Sequence, residues 1–394
     1  MRLHIDTGSS DLWVNTPASN LCASNTDCAL TGTYAANSSS TYQYIASNFN
    51  ISYVDGSGAS GDYVSDTVTF GGHKLDRLQF GIGYSSSNAQ GILGIGYPIN
   101  EVQVGRARLP PYNNLPAQLA ADNVIQSNAY SLWLNDLDAN TGNILFGGVD
   151  AAKYSPPLQL LPIESTHGVY GEFLITLTNL QLGTTTIGRP DLAVAVLLDT
   201  GSSLTYLPDA LTQQIYTAVG AVPDSSGRAA YVPCALASST TEQLHFTFTG
   251  PTISVDMDEL VLDLVLSSGR RPTLDDGTPA CLFGIAPAGD GTYVLGDTFL
   301  RSAYVVYDLG NHEVGLAPTR FNSTATRVVE IGRGEGAVPG ATRVRDPVRA
   351  TEGVRGLNAS KSAAGGRAGG AGEGVARVLV VVVVAVAAGV GVMW

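Results

Sequence analysis

The pentapeptide Asp-Thr-Gly-Ser-Ser occurs twice, at Asp6–Ser10 and at Asp199–Ser203, and its side chains can do acid–base chemistry. Each copy follows an apolar segment that predicts a β-strand. Each is followed much later by two apolar residues and a glycine, at 92–94 and 294–296. A single Asp-Thr-Gly is a weak signal, because turns alone favour Asp and Gly together. Two copies with the same downstream element predict two related half-chains.

Two carboxyl groups brought face to face would have a defined chemistry. If a pseudo-twofold axis relates the halves, the equivalent loops meet and place Asp6 opposite Asp199. Carboxylates in contact do not both ionise readily, so they share one proton and titrate as a pair. Such a pair polarises a water: one carboxylate takes its proton as it attacks an amide carbon, and the other protonates the carbonyl oxygen. The repeat therefore predicts amide hydrolysis without a covalent enzyme intermediate.

The other residues of the two loops suit a supporting role. Gly8 and Gly201 let the backbone approach the carboxylates closely. Hydroxyl groups are expected to hold the carboxylates coplanar, and four residues carry them: Thr7, Ser9, Thr200 and Ser202.

Longer stretches around the repeat resemble a known family. Asp6-Thr-Gly-Ser-Ser-Asp-Leu-Trp-Val14 and Asp199-Thr-Gly-Ser-Ser-Leu-Thr-Tyr-Leu-Pro208 resemble the two active-site loops of pepsin-like aspartic endopeptidases. Tyr293-Val-Leu-Gly-Asp-Thr-Phe-Leu-Arg301 is similar to that family's C-terminal signature. The resemblance spans about residues 3–321. It implies an all-β dominated, bilobal pepsin-like fold with a few short helices, and a peptidase that needs no metal or organic cofactor.

The resemblance also implies roles for individual residues. Asp6 and Asp199 match the catalytic dyad, Tyr53 matches the tyrosine of the flap that closes over substrate, and Trp13 matches the tryptophan that supports it. Asp55 matches a flap aspartate that favours Lys or Arg beside the scissile bond in fungal relatives. The substrate-binding set is expected to comprise Gly8, Ser9, Tyr53, Asp55, Gly201 and Ser202. Two plainer interpretations stay open: Tyr53 as cross-strand packing and Asp55 as an ordinary turn residue.

Local patterns predict the elements that position these residues. Strands at 50–53 and 62–70 flank an Asp-Gly turn and predict a hairpin. Helices are predicted over roughly 115–123 and after Pro208, where an apolar i, i+4, i+8 stripe is typical of core packing. The run 260–266 predicts a buried strand. The predicted divisions are an N-terminal lobe at 1–156, a C-terminal lobe at 157–320 and a low-complexity tail at 321–394 that does not order itself.

Cysteine usage indicates an oxidising compartment. Cys22 and Cys28 enclose a short polar loop and predict a local disulfide, which leaves Cys234 and Cys281 to pair by elimination. The five histidines are far apart in sequence and no CxxC motif occurs, so a zinc site is not expected. Secretion also agrees with the four N-glycosylation sequons, at Asn37, Asn50, Asn322 and Asn358.

Charge is distributed unevenly along the chain. Residues 1–319 carry 29 acidic and 11 basic side chains, whereas residues 320–394 carry 5 acidic and 10 basic ones. An acidic body argues against nucleic-acid binding and suits a protein that works in acid, although ordinary acidic solubility explains the charge equally well. We expect a monomer that acts on peptide or protein substrates.

Both ends of the sequence suggest processing. The first motif begins five residues after Met1, so we expect a secretion signal, a pro-segment and one more strand upstream in the natural protein. At the other end, small residues around Ala363, a polar spacer and an apolar stretch from Val378 match a GPI-attachment signal, with Ala363 as the attachment residue. A plain tail anchor is the alternative interpretation of this apolar stretch. This tail, together with Gly91–Gly96 and Glu101, is similar to the yapsin-type, cell-surface branch of the fungal enzymes.

Three functions are compatible with these features. The first is an acid-acting endopeptidase at the plasma membrane or cell wall. The second is a catalytically inactive peptide-binding protein on the same fold, and the third is a structural wall protein, since a fold does not by itself fix a function.

Overall fold

The computed structural model describes residues 1–24, 27–265 and 269–354, and the backbone of 381–386. Its α-helices are short: α1 (Asp27–Thr31), α2 (Val102–Ala107), α3 (Leu115–Ala121), α4 (Asp209–Val219), α5 (Met257–Leu260) and α6 (Asp297–Leu300). Single 3₁₀ turns occupy Ala36–Ser38, Pro98–Asn100 and Cys234–Ser238.

Strands make up most of the regular structure. In chain order they are β1 (Leu3–Asp6), β2 (Leu12–Asn15), β3 (Gln43–Ser52), β4 (Gly58–Phe70), β5 (His73–Ser86), β6 (Gly91–Gly94), β7 (Ala129–Trp133), β8 (Thr141–Phe146), β9 (Gly148–Asp150), β10 (Leu158–Pro162), β11 (Leu174–Leu182), β12 (Thr185–Ile187), β13 (Val194–Leu198), β14 (Thr205–Leu207), β15 (Val222–Pro223), β16 (Ala230–Pro233), β17 (Gln243–Phe248), β18 (Thr252–Asp256), β19 (Val261–Leu262), β20 (Ala280–Phe283), β21 (Ile285–Pro287), β22 (Val294–Leu295), β23 (Ala303–Asp308), β24 (Glu313–Pro318), β25 (Val328–Glu330), β26 (Ala341–Arg343) and β27 (Val381–Val386).

One sheet forms the N-terminal lobe, in the order β1-β6-β2-β5-β4-β3. β1 runs parallel to β6, with Asp6 opposite Gly94. β2 packs antiparallel on the other side of β6. The first Asp-Thr-Gly loop therefore connects the strands on either side of the Ile-Leu-Gly element that the sequence pairs with it.

The C-terminal lobe repeats this arrangement in a sheet ordered β18-β17-β11-β13-β22-β14-β21, with β12 attached to β11. β13 runs parallel to β22, with Leu198 opposite Leu295. β14 lies antiparallel on the other side of β22. The second loop thus has the same strand environment as the first, which agrees with the internal repeat.

A third sheet joins the two lobes, in the order β26-β10-β24-β23-β7-β8-β27. β7 from the first half pairs with β23 from the second, with Tyr130 opposite Tyr307. These two buried rings stack with their centroids 5.0 Å apart. The prediction of an all-β dominated, bilobal fold is confirmed, whereas the exact division of the chain at 156 stays a prediction.

Two further sheets complete the fold, one ordered β15-β16-β20-β19 and one that pairs β25 with β9. Among the described residues, no helix combines the length and the apolar character needed to cross a membrane.

The local predictions around the loops are confirmed. The flap hairpin consists of β3 and β4, joined by a turn over 53–57, and its strands are longer than predicted. α3 occupies most of the predicted 115–123. In α4, Leu211 and Ile215 are buried and Val219 packs against the core. α4 ends where Gly220 adopts a left-handed conformation, with a φ of 69°.

The predicted strand at 260–266 is wrong over most of its length. Leu260 closes α5, and only Val261 and Leu262 are in strand conformation. Asp263 and Val265 are exposed, and 266 lies outside the described residues. An apolar run does not distinguish a buried strand from the end of a helix followed by a loop.

The expectation that the chain stays unordered after Phe321 is also wrong for residues 322–354. β25 and β26 lie in this segment and pair with β9 and β10. Ile331 and Val338 are buried against the third sheet, which joins the lobes. Backbone pairing with existing strands orders a segment whose own apolar content is low.

Both predicted disulfides are confirmed. Cys22 is bonded to Cys28, and Cys234 is bonded to Cys281. The second bond joins the 3₁₀ turn after β16 to the neighbouring strand β20.

Candidate active site

The two repeated loops meet at the junction of the lobes and exchange hydrogen bonds. The Thr7 amide donates to the Thr200 hydroxyl at 3.1 Å, and the Thr200 amide donates to the Thr7 hydroxyl at 3.0 Å. Each hydroxyl then donates to a carbonyl on the opposite side: Thr7 to Leu198, and Thr200 to Ile5. The prediction that these two threonines hold their own carboxylates is therefore wrong, since they lock the loops to each other.

The two serines hold the carboxylates as predicted from the sequence, and the glycine amides add a hydrogen bond to each carboxylate. Oδ1 of Asp6 accepts the Gly8 amide at 2.8 Å, and Oδ2 accepts the Ser9 hydroxyl. Oδ1 of Asp199 accepts the Gly201 amide at 2.7 Å, and Oδ2 accepts the Ser202 hydroxyl at 2.7 Å. The two sites are thus equivalent in hydrogen bonding as well as in sequence.

Each loop glycine faces the carboxylate of the other loop. A Cβ placed on Gly201 would lie 2.5 Å from Oδ1 of Asp6, and a Cβ on Gly8 would overlap Oδ1 of Asp199. Only glycine leaves room for the carboxyl groups to approach. The structure therefore brings Asp6 and Asp199 together, although 193 positions separate them.

The electrostatics of the pair agree with a shared proton. Desolvation and then the charge of Asp6 raise the pKa of Asp199 to about 7, against hydrogen bonds from Ser202 and Gly201 that lower it. Asp6 itself is only 4% exposed. Asp199 therefore retains a proton in acid, as a carboxyl group beside another does.

Tyr53 and Trp13 contact each other above the loops. The Trp13 indole Nε1 donates to the Tyr53 hydroxyl at 2.8 Å, and Trp13 is fully buried. Burial and the charge of Asp6 raise the pKa of Tyr53 well above its usual range. The two side chains that the resemblance linked are thus joined, with Tyr53 held near Asp6.

Asp55 lies exposed at the tip of the flap hairpin. Its Oδ1 accepts the Ser57 amide at 2.8 Å, which is the local hydrogen bond expected of a turn aspartate. Burial has the larger effect in raising the pKa of Tyr206 in the C-terminal lobe, and the negative charge of Asp55 adds to the rise. The acidic side chain at the flap tip therefore contributes negative charge that acts on Tyr206 of β14.

A second pair of buried acids lies beneath the flap and was not predicted. Asp11 accepts hydrogen bonds from the hydroxyls of Tyr63 and Tyr112 and from the amide of Val102. Glu101 accepts the Tyr112 amide at 2.8 Å, and among the described residues its Oε1 has no hydrogen-bond partner. Both acids are almost completely buried. The sequence marked Asp11 only as part of the first motif and Glu101 only through the resemblance to the yapsin-type branch, and neither signal indicated that the two acids share a buried site.

Burial raises the pKa of Glu101 to about 9, and the charge of Asp11 adds to the rise. The folded protein therefore keeps a proton on Glu101 that the unfolded chain releases above about pH 4.5, the ordinary pKa of a glutamate side chain. Stability is lost as pH rises from about 4.5 to about 9. Neutral Glu101 is the form that fits this site.

Glu101→Gln will stabilise the protein at neutral pH, because the amide is neutral and matches the protonated acid in shape. The gain at pH 7 is on the order of 3 kcal/mol in the free energy of unfolding, and it vanishes near pH 4. Thermal melts of both proteins across this pH range measure it. Glu330→Gln, at an exposed position of β25, is the matched control. A difference in melting temperature between wild type and Glu101→Gln that does not change with pH would contradict the conclusion that Glu101 is protonated at neutral pH.

The predicted glycosylation and GPI-attachment residues lie partly within and partly outside the described residues. Asn37, Asn50 and Asn322 are exposed, whereas Asn358 and Ala363 lie outside the described residues. No group of three or more His, Cys, Asp or Glu side chains in the described ranges is arranged to hold a metal ion.

Comparison with known proteins places this geometry in a family. The model of the family "Eukaryotic aspartyl protease" matches residues 1–319. "Probable aspartic-type endopeptidase opsB" of Aspergillus oryzae is 54% identical over 354 residues, which cover 88% of this chain and 72% of that protein. "Acid protease" of Saccharomycopsis fibuligera is 36% identical over 82% of this chain and 78% of its own length. "Secreted aspartic protease 8" of Candida albicans is 37% identical over 82% of this chain and 73% of its own length.

The family model covers both paired loops, and the predicted pepsin-like family is confirmed. The chain belongs to the eukaryotic aspartyl protease family.

Proposed function

We propose that this protein is an aspartic endopeptidase that hydrolyses peptide bonds in acid with a water activated by Asp6 and Asp199. The observation that carries the proposal is the contact of each loop glycine with the carboxylate of the other loop. The names of the curated relatives support the same activity.

The proposed reaction uses one proton on the pair. Asp6 takes a proton from the bound water as the water oxygen attacks the peptide carbonyl carbon. Asp199, which holds a proton in acid, donates it to the carbonyl oxygen. The tetrahedral intermediate then breaks down: the C–N bond breaks as Asp6 returns the water proton to the leaving amine nitrogen, and a hydroxyl of the intermediate gives its proton to Asp199. The carboxyl groups end the cycle with one proton between them.

The flap supplies the second part of the site. Tyr53 is held by Trp13 near the carboxyl pair, while the exposed turn over 54–56 is free to lie on an extended peptide. Contacts along an extended substrate contribute binding energy at a distance from the scissile bond. Water is excluded when the flap closes, which strengthens the electrostatic interactions of the pair.

The test is cleavage of unstructured protein substrates by the full-length, processed protein across the pH range. We expect cleavage in acid, inhibition by pepstatin and loss of activity as pH rises through about 7, where Asp199 loses its proton. Pepstatin binding without cleavage at any pH would replace this proposal with the inactive peptide-binding function.

We also propose a preference for Lys or Arg beside the scissile bond, carried by Asp55. The support is the exposed position of Asp55 on the flap and its charge, which acts on Tyr206 across the cleft. The strongly acidic body of residues 1–319 adds to the attraction of basic peptides.

Asp55→Asn will lower kcat/KM for substrates with Lys or Arg at the cleaved bond by about tenfold, the value of one charge-assisted hydrogen bond. Asn retains an oxygen that accepts the Ser57 amide, so the turn is preserved. Matched peptides that differ only in Lys versus norleucine measure the effect. An equal loss for both peptides would show that Asp55 acts only on the turn.

Cell-surface attachment by a GPI anchor is the proposed location, and the yapsin-type branch is the proposed relationship. The support is the composition of 362–394, which has small residues around Ala363, then a polar spacer and an apolar stretch. Release of the activity from intact cells by a phosphatidylinositol-specific phospholipase is the expected result. Activity that stays in the membrane fraction after this treatment would argue for a different anchor.

A further inference from the structure

The segment 322–354, here called the strap, lies beyond the part of the chain that the family model matches. Its first strand, β25, pairs with β9, and its second strand, β26, lies at the edge of the third sheet beside β10. Its last residues reach the C-terminal lobe. Val354 near its end is buried in the main hydrophobic core. The strap is therefore an ordered part of the enzyme.

The last residues of the strap run beside the strand that leads to Asp199. The Thr351 amide donates to the Ala193 carbonyl at 2.9 Å, and the Ala195 amide donates to the Glu352 carbonyl at 2.8 Å. Glu352 forms a parallel bridge with Val194 at the start of β13. β22 pairs with the end of β13 at Leu197 and Leu198. The strap therefore pairs with the first part of β13, which β22 does not reach, and β22 pairs with the last part.

Gly353 fits tightly in this contact. It adopts a φ of 82°, and a Cβ at this position would lie 2.5 Å from the Ala195 carbonyl oxygen and 3.0 Å from Cδ2 of Tyr293. Tyr293 immediately precedes β22, and its carbonyl accepts the Leu197 amide at 2.9 Å. Both the conformation and the space at 353 require glycine.

The strap also holds the strand on the other side of β13. Oε1 of Glu164 accepts the Ala350 amide at 3.1 Å and the Thr176 hydroxyl at 2.8 Å. Thr176 lies in β11, opposite Ala195 of β13. Arg349 pairs with the same glutamate at 3.4 Å. The strap thus contacts β13 directly and is tied to its neighbour β11.

We propose that residues 350–354 of the strap are positioning residues that fix β13 and so hold Asp199 in register with Asp6. The inference rests on the proposed function, since it assumes that Asp199 is catalytic. The strap makes no contact with the substrate in this account. Its effect comes through the strand, because small displacements of a reacting group cause large losses in rate.

The experiment compares two glycines of the strap that share a left-handed conformation. Gly353→Ala introduces a Cβ against Ala195, whereas Gly336→Ala, at a φ of 71°, meets no described atom within 4 Å. Backbone strain is the same in kind at both positions, so the difference between the variants reports the contact with β13. Steady-state kinetics on a basic peptide in acid, with thermal melts, are measured for both.

We expect Gly353→Ala to lower kcat by about tenfold or more with KM nearly unchanged, and to shift the neutral limb of the pH–rate profile. Gly336→Ala is expected to behave as wild type in kcat. If Gly353→Ala does not fold, Thr351→Val replaces it in the test. This variant removes only the hydrogen bond from the Thr351 hydroxyl to the Ala193 carbonyl at 3.2 Å. We expect it to lower kcat two- to threefold, which corresponds to about 0.5 kcal/mol in the activation free energy.

Equal kcat for wild type and Gly353→Ala, or for wild type and Thr351→Val where the first variant does not fold, would overturn the inference. So would equal losses in Gly353→Ala and Gly336→Ala. Activity retained by Asp199→Asn would instead overturn the proposed function, so the two failures are distinguishable.

Discussion

Asp199→Asn will lower kcat by about 1,000-fold, because the amide does not supply the proton that the carbonyl oxygen needs in the transition state. The Asn side chain matches Asp in shape and its oxygen still accepts a hydrogen bond from Ser202 or Gly201. The fold is therefore retained, and KM is expected to change little. Steady-state kinetics at acidic pH, with pepstatin titration to count folded sites, measure the effect.

The same variant has an expected signature in stability, which separates loss of chemistry from loss of structure. The folded wild type keeps a proton on Asp199 up to about pH 7, whereas the unfolded chain releases it near pH 3.8, the ordinary pKa of an aspartate side chain. Wild-type stability therefore falls as pH rises between these values. Asp199→Asn lacks this loss, so its melting temperature is expected to exceed that of wild type at pH 7 and to equal it near pH 3.5. An inactive variant that is less stable at pH 7 would contradict the charge assignment.

Gly201→Ala will lower kcat by at least about 100-fold, because the added Cβ would lie 2.5 Å from Oδ1 of Asp6 and force the loops apart. Gly8→Ala is expected to have a similar effect through Asp199. Each variant leaves both carboxyl groups in the protein but prevents their contact. Kinetics on one peptide substrate, together with melting temperatures, measure the loss.

The control for these variants is Gly105→Ala in α2, where an added Cβ meets no described atom within 4 Å. Ala also favours the helical conformation at that position. We expect Gly105→Ala to have the kcat of wild type, and we expect the variants of the loop glycines to lose most of their kcat. Retention of activity in Gly201→Ala would show that the carboxyl groups do not need to approach each other.

The pairing of Asp6 with Asp199 could be predicted from the sequence because the whole loop is duplicated and a repeat implies a symmetry axis. The flap hairpin and α4 could be predicted because turn residues and apolar spacing are local signals. These features require no knowledge of which strands become neighbours.

The features that sequence reasoning missed depend on contacts between distant parts of the chain. Thr7 and Thr200 bond across the lobes, and a single sequence does not show which hydroxyl faces which loop. Asp11 and Glu101 meet in a buried site that neither local pattern indicates. The run at 260–266 was misassigned because hydrophobicity without periodicity does not fix the secondary structure.

The strap was missed for a different reason. Its composition predicts disorder, since it has few apolar residues and many glycines and arginines. Its order depends on backbone hydrogen bonds to strands that are already formed, at β9, β10 and β13. Ile331 and Val338 are buried in the middle of the strap, and the sequence alone does not mark these two apolar residues as buried.

The most direct test of the central claim is the position of the proton on the pair, measured by neutron diffraction from a deuterium-exchanged crystal at acidic pH. We expect one deuterium on the two carboxyl groups and one water within hydrogen-bond distance of both Asp6 and Asp199. A deuterium on each carboxyl group, or carboxyl groups too far apart to share that water, would contradict it.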